Sequence, residues 1–177
     1  MNSRERVFQA LNHEEPDKVP IDLGGAVTTG IQASALHKLR KALGLEERIV
    51  KVYEPMMTLG LVEEDVLEAI GGDVIGLNAP GTLLGYQNID WKPWTLPDGT
   101  EVLMGGGFEY SYGKDGTIFA YPNSNRNAPP SAKMPPNGFY FDNIIRQEDL
   151  SGHKYNAKVD YADQYRIFSD EDLEYYQ

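Results

Sequence analysis

Apolar residues recur along the first third of the chain with two different periods, and the change of period marks the elements. Val7, Phe8 and Leu11 fall at helical spacing behind Ser3, which predicts a short helix from Ser3, as its cap, through Leu11. Pro16 and Pro20 bracket a turn, and Val19 to Leu23, closed by Gly24 and Gly25, reads as a short buried strand. Leu36, Leu39 and Leu43 repeat at i, i+3 and i+7 within Ile31 to Leu43, and Gly44 follows as a helix terminator. Ile49 to Tyr53 is β-branched and apolar, a second strand stopped by Pro55. Val62, Val66, Leu67 and Ile70 share a face of a helix over Glu63 to Ile70, with acids in its first turn and Gly71-Gly72 at its end. Asp73 to Leu77 then predicts a third strand, and strand-helix-strand-helix-strand spacing points to parallel β-α units.

The period changes near Asn88. Trp91 to Leu96, Glu101 to Met104, Phe108 to Tyr112 and Thr117 to Tyr121 are short β-favouring runs, and Asp98-Gly99 and Asp115-Gly116 are hairpin-turn dipeptides between them. They predict an antiparallel meander inserted over about 88–121. The run from Asn123 to Asn137 is rich in Pro, Asn and Ser and predicts an extended surface loop. Gly138 to Asp142 is a compact aromatic segment, and Ser169 is placed to cap a helix beginning in Asp170 to Leu173.

Composition narrows the classes. With 177 residues, 41% hydrophobic, 11% aromatic and 24% charged, the chain has material for one real core. A net charge of −11 argues against a phosphate-tracking surface for nucleic acid, which needs clustered Lys and Arg. Cysteine is absent, so disulfides, thiolate nucleophiles and Cys-ligated metals are excluded in this stretch, and a reducing, cytoplasmic setting is expected. No apolar run is long enough to span a bilayer, and the N-terminus lacks the pattern of a secretory signal.

The segments Ser3 to Val7 and Asn12 to Asp22 closely resemble the opening of the uroporphyrinogen decarboxylase family, in the branch of the methylcobamide:coenzyme M methyltransferases. Glu64 to Leu67 leading to Gly72-Asp73-Val74, the β-rich stretch with its Asp-Gly turns, and Gly138 to Asp142 fit the same group. The resemblance implies the N-terminal part of a (β/α)8 TIM-type barrel with its site at the C-terminal ends of the strands. Such a barrel needs about 250 residues, so the chain is expected to stop before closing one, with its C-terminal half absent.

The resemblance also implies roles. Asp73 matches the essential aspartate of the decarboxylases, where a carboxylate stabilises positive charge developing on a tetrapyrrole, and it is the catalytic candidate. The alternative for Asp73 is an ordinary acid opening a strand after two glycines. Asp22, Gly24 and Gly25 would sit at the mouth as substrate-binding residues, although an ordinary β-α turn accounts for them slightly better; Tyr140 would line a flat ligand's pocket or anchor the Pro-rich loop. The chain departs from true decarboxylases after its first strand, where Gly25 to Gly30 stands in place of an arginine-bearing stretch that pairs with substrate carboxylates. That departure turns the expectation toward corrinoid-linked methyl transfer, with a corrinoid protein as partner and zinc bound in the absent half. Decarboxylation of uroporphyrinogen, or non-catalytic binding of a tetrapyrrole or corrinoid protein, are the alternatives. His13, His37 and His153 show no metal-ligand spacing, and Gly105 to Gly107 lacks the Lys-Ser/Thr tail of a phosphate loop.

Overall fold

A computed structural model describes residues 1–146, 151–152, 154–160 and 169–176. The chain divides into two units, Met1–Ile144 and Ile145–Gln177. In the second, two short helices, Ala157–Asp160 and Asp170–Tyr175, are formed; the Leu173 N–H donates to the Ser169 carbonyl, so the latter helix does start behind Ser169. His153 lies outside the described residues.

The first unit opens with α1 (Ser3–Leu11). Its cap is Asn2 rather than Ser3: the Asn2 side chain accepts from the Glu5 N–H at 2.9 Å while Glu5 Oε2 accepts from the Asn2 N–H at 3.1 Å, a reciprocal capping box. The expected apolar stripe is not what α1 buries. Phe8 and Leu11 are 68% and 75% exposed, and the buried residue is Arg6. β1 (Ile31–Gln32) leads directly into α2 (Ala33–Ala42), capped by the Gln32 side chain on the Ser34 and Ala35 N–H groups. α2 buries Ala33, Ser34, Leu36 and Arg40. β2 (Val50–Glu54) and β3 (Leu59–Gly60) follow, then α3 (Glu64–Ile70), which ends in Gly71 at φ +68°. A side chain rarely tolerates that left-handed turn, which is why glycine terminates the helix there.

β4 (Lys92–Thr95) and β5 (Glu101–Met104) make a hairpin around Asp98-Gly99, where Asp98 accepts the Thr100 N–H. β6 (Tyr110–Tyr112) and β7 (Ile118–Ala120) make another around Asp115-Gly116, and β8 (Ala132–Met134) and β9 (Asp142–Asn143) extend it. Two sheets result, ordered β1-β3-β2-β5-β4 and β6-β7-β8-β9.

This architecture overturns the barrel. Among the described residues the β2-β5 pair is the one parallel pairing, every other ladder is antiparallel, and strands do not alternate with helices. The fold is mixed α/β with two sheets and is not the N-terminal part of a TIM-type barrel. The expected first and third strands, over Val19 to Gly25 and Asp73 to Leu77, enter no ladder. They lie alongside each other, the Asp73 N–H donating to the Ile21 carbonyl at 2.8 Å, but the return bond from the Ile21 N–H goes to the Asp73 side chain. Gly24, at φ +82°, then turns the first segment away. The expected single meander is likewise divided: its first hairpin joins β2, and its second founds the other sheet. The Pro-rich run is not all loop, since it contains β8.

Both sheets contribute to one apolar core. Leu36, Val52, Val66 and Val102 lie in it with Ile118, Ala120 and Met134. Trp94 meets the Phe108 ring edge-on at 5.2 Å, Phe108 stacks on Tyr110 at 5.5 Å, and Phe141 meets Phe108 edge-on at 6.1 Å. No helix among the described residues is long and apolar enough to cross a membrane.

Candidate functional site

The candidate residues fall into a fastening and a cleft. Asp73 belongs to the fastening. Its side chain is 1% exposed, one carboxylate oxygen receives Arg6 Nη1 and the other accepts the Ile21 N–H at 3.0 Å. Arg6 also reaches Asp17, through Nε at 2.6 Å and Nη2 at 2.9 Å, and donates from Nη2 to the Met1 carbonyl. The Ile21 N–H holds the Asp73 carboxyl below its usual range against the opposing effect of burial, with Ser3 and Arg6 adding to the stabilisation of the anion. Asp17 is lowered chiefly by Arg6. These contacts tie α1, the Asp17–Ile21 segment and the Asp73 segment into one unit, so the catalytic candidate has both its oxygens committed to protein donors.

Asp22 is also occupied locally. Its Oδ1 accepts the Gly25 N–H at 2.9 Å and faces the Thr29 hydroxyl at 3.1 Å, closing the loop that carries the single turn of Val27–Thr29. Gly24 leaves no room for a side chain: a Cβ there would fall within 2.9 Å of the Val62 side chain, and its own N–H donates to the Thr29 carbonyl. Gly25 passes close to Val74 and forms part of a cleft wall. Tyr140 is exposed and does not line this cleft; its neighbours pin the segment, Phe139 by its carbonyl to the Thr58 hydroxyl and Phe141 by its N–H to the Met56 carbonyl. The structure thus brings Asp22, Gly24, Gly25 and Asp73 onto adjoining segments and leaves Tyr140 elsewhere.

The cleft, of about 410 Å³, is bounded by Gly25 to Val27, Tyr53 and Glu54, and the segment Leu77 to Leu83. That volume lies in the range of small-molecule sites. Tyr53 and Glu54 reach it because β2 is bulged: the register against β3 passes from Val52-Gly60 to Glu54-Leu59, so alternation breaks and Val52, Tyr53 and Glu54 are all buried. Glu54 Oε1 accepts the Met56 N–H at 3.0 Å and Oε2 the Met57 N–H at 2.7 Å. The Tyr53 hydroxyl is buried without a hydrogen-bond partner. Burial first, and then the Glu54 charge, raise its titration above that of an ordinary phenol. Sequence reasoning took Tyr53 as a strand residue and passed over Glu54; the available signal was an acid terminating an apolar strand immediately before Pro55.

Among the described residues no three His, Asp or Glu side chains gather to hold a metal ion. The zinc that the resemblance implies was expected in the half the chain lacks, and the described residues do not bear on it. No protein-family model, curated protein or solved structure matches the chain.

Proposed function

We propose that this chain is part of an enzyme of the uroporphyrinogen decarboxylase superfamily, acting in corrinoid-linked methyl transfer, and that the cleft beside Gly25 receives a small-molecule substrate of the full-length protein. One observation carries the reading: the two segments on which the resemblance chiefly rests, the opening through Asp22 and the stretch following Gly72, run side by side and continue into the lining of that cleft. Asp73 then serves as a positioning residue, holding the two segments together through Ile21 and Arg6. Decarboxylation of uroporphyrinogen is the poorer fit, because no Lys or Arg among the described residues lines the cleft to meet a substrate with many carboxylates.

The test is an absorbance assay of the full-length protein with methylcobalamin and a thiol acceptor. Protein-dependent loss of the methyl–cobalt band with formation of the methyl thioether is the expected outcome, reduced at least about tenfold in Gly81→Trp, a change of roughly 1.4 kcal/mol or more in the barrier. Gly81 lies on the cleft wall and a Cβ there meets open space, so the bulky residue obstructs the site without an internal clash. A rate equal to the protein-free control, at protein concentrations matching the cobalamin, would remove the reading.

A further inference from the structure

The run from Val74 to Ile89 carries no charged residue, although 24% of the chain is charged. Its first part has the pattern of a strand without a partner. Ile75, Leu77 and Ala79 are exposed while Val74, Gly76 and Asn78 are half-buried, the period-two alternation of an extended backbone with one face on the protein. Among the described residues, Val74 to Ala79 form no main-chain hydrogen bond. One side of the segment is fixed, since Gly76 lies so close to the Gly24 carbonyl that a side chain has no room.

Outer strands elsewhere in the molecule are guarded. β4 ends one sheet with Lys92 and with Pro93, which has no N–H to offer, and β9 ends the other with exposed Asp142. Charge and proline at an edge deter pairing with another chain. Val74 to Ala79 has neither. Its side chains add to the contrast. Ile75 shares a shallow apolar depression with Phe8 and Leu11 of α1, and these three and Leu77 are each at least two-thirds exposed. Together they present on the order of 600 Å² of apolar surface, the size at which a patch marks an interaction site and most of the roughly 800 Å² that each partner gives to a stable interface.

Charge selects the occupant. Two copies of a chain at −11 repel each other unless the surfaces that meet are uncharged; this run is, and Asp73 at its start is already paired with Arg6. The pleat then restricts the register. Residues opposite each other in an antiparallel pair point to the same face, so a two-fold axis relating identical strands passes at a residue and not between two. An axis at Gly76 sets Ile75 of each copy opposite Leu77 of the other, an apolar cross-strand pair made twice. We propose that two copies of the protein pair antiparallel along Val74 to Asn78 about an axis at Gly76, with the Ile75 and Leu77 pairs closing over the depression beside Phe8 and Leu11.

The experiment follows amide hydrogen exchange of Val74 to Asn78 in the full-length protein across a concentration series, with sedimentation velocity on the same samples. Exchange at these amides is expected to slow at least about tenfold as the dimer forms. Ile75→Lys, a change at a side chain 75% exposed and therefore compatible with folding, is expected to abolish both the slowing and the dimer. Protection that is already complete at the lowest concentration, in a monomer, shows that another part of the same chain covers the edge and overturns the proposal. Exchange that stays fast at every concentration also overturns it, as does a dimer that persists in Ile75→Lys. The concentration series needs only the unaltered protein, so it decides the matter independently of the variant.

Discussion

Arg6 shows how one residue's chemistry decides a local structure. A guanidinium is buried only where acceptors meet it, and Asp17, Asp73 and the Met1 carbonyl all do. Removing one partner leaves the remaining charge poorly matched, so Asp73→Asn is expected to lower the thermal midpoint clearly. Asp17→Asn, at a side chain 43% exposed and screened by water, should lower it less. The pH dependence has a fixed sign. Asp73 and Asp17 both have folded-state titrations below the unfolded value of about 3.9, so their contribution is fully present above that value and is lost as pH falls through the folded range. Denaturant melts at pH 7 and pH 3 check this: the unaltered chain should lose more stability between them than Asp73→Asn. An equal loss in both would show that the fastening does not contribute. None of this was visible in the sequence around Arg6, because a cation on a helix of mixed pattern reads as solvent-facing until its long-range partner, 67 residues on, is known.

Elements with their own periodicity were legible. α2, β2 and α3 lie within a residue or two of their predicted bounds, because Leu36, Val50, Val52, Val66 and Leu67 are apolar at the spacings those elements bury. The segments over 19–25 and 73–77 misled because β-branched composition reports a half-buried extended backbone and says nothing about whether a ladder partner exists. β8 was hidden for the opposite reason. Pro129 and Pro130 before it and Pro135 after it outweighed the alternation of Ala132, Lys133 and Met134. Packing between elements yields its own prediction at Gly60. A Cβ there would come within 2.8 Å of Val50 and Leu36 side chains and 3.2 Å from the Ala33 Cα, so α2 sits directly on β3 at this glycine. Gly60→Val should destabilise by about 1–3 kcal/mol through overpacking. Gly44→Ala meets nothing within 4 Å but must adopt φ +68°, and should lose about 1 kcal/mol from conformation alone. Equilibrium unfolding of the two variants separates contact from backbone strain; equal losses would argue that α2 yields to the added side chain.

At the scale of the whole molecule, the cleft is assembled from three stretches distant in sequence, which is why only its Gly25 edge could be read in advance. A pair of glycines after an apolar run signals a close approach, whereas Glu54 joins the site through a bulge that no local pattern announces. A second surface feature follows from the same displaced segments. Phe8 and Leu11 of α1 and Ile75 remain 68%, 75% and 75% exposed, and with Val7 and Val74 they line one shallow apolar depression. Contiguous apolar surface of this kind favours association, while a net charge of −11 opposes it through repulsion that salt screens. The unaltered chain is therefore expected to self-associate more strongly at 0.5 M than at 0.05 M sodium chloride, and the double substitution Phe8→Lys with Ile75→Lys should return it toward monomer at both. Sedimentation velocity across a concentration series makes the measurement. Association that weakens with salt would assign the contact to charged groups instead, and a strictly monomeric chain under all conditions would mean that the exposed strip is too small to drive assembly.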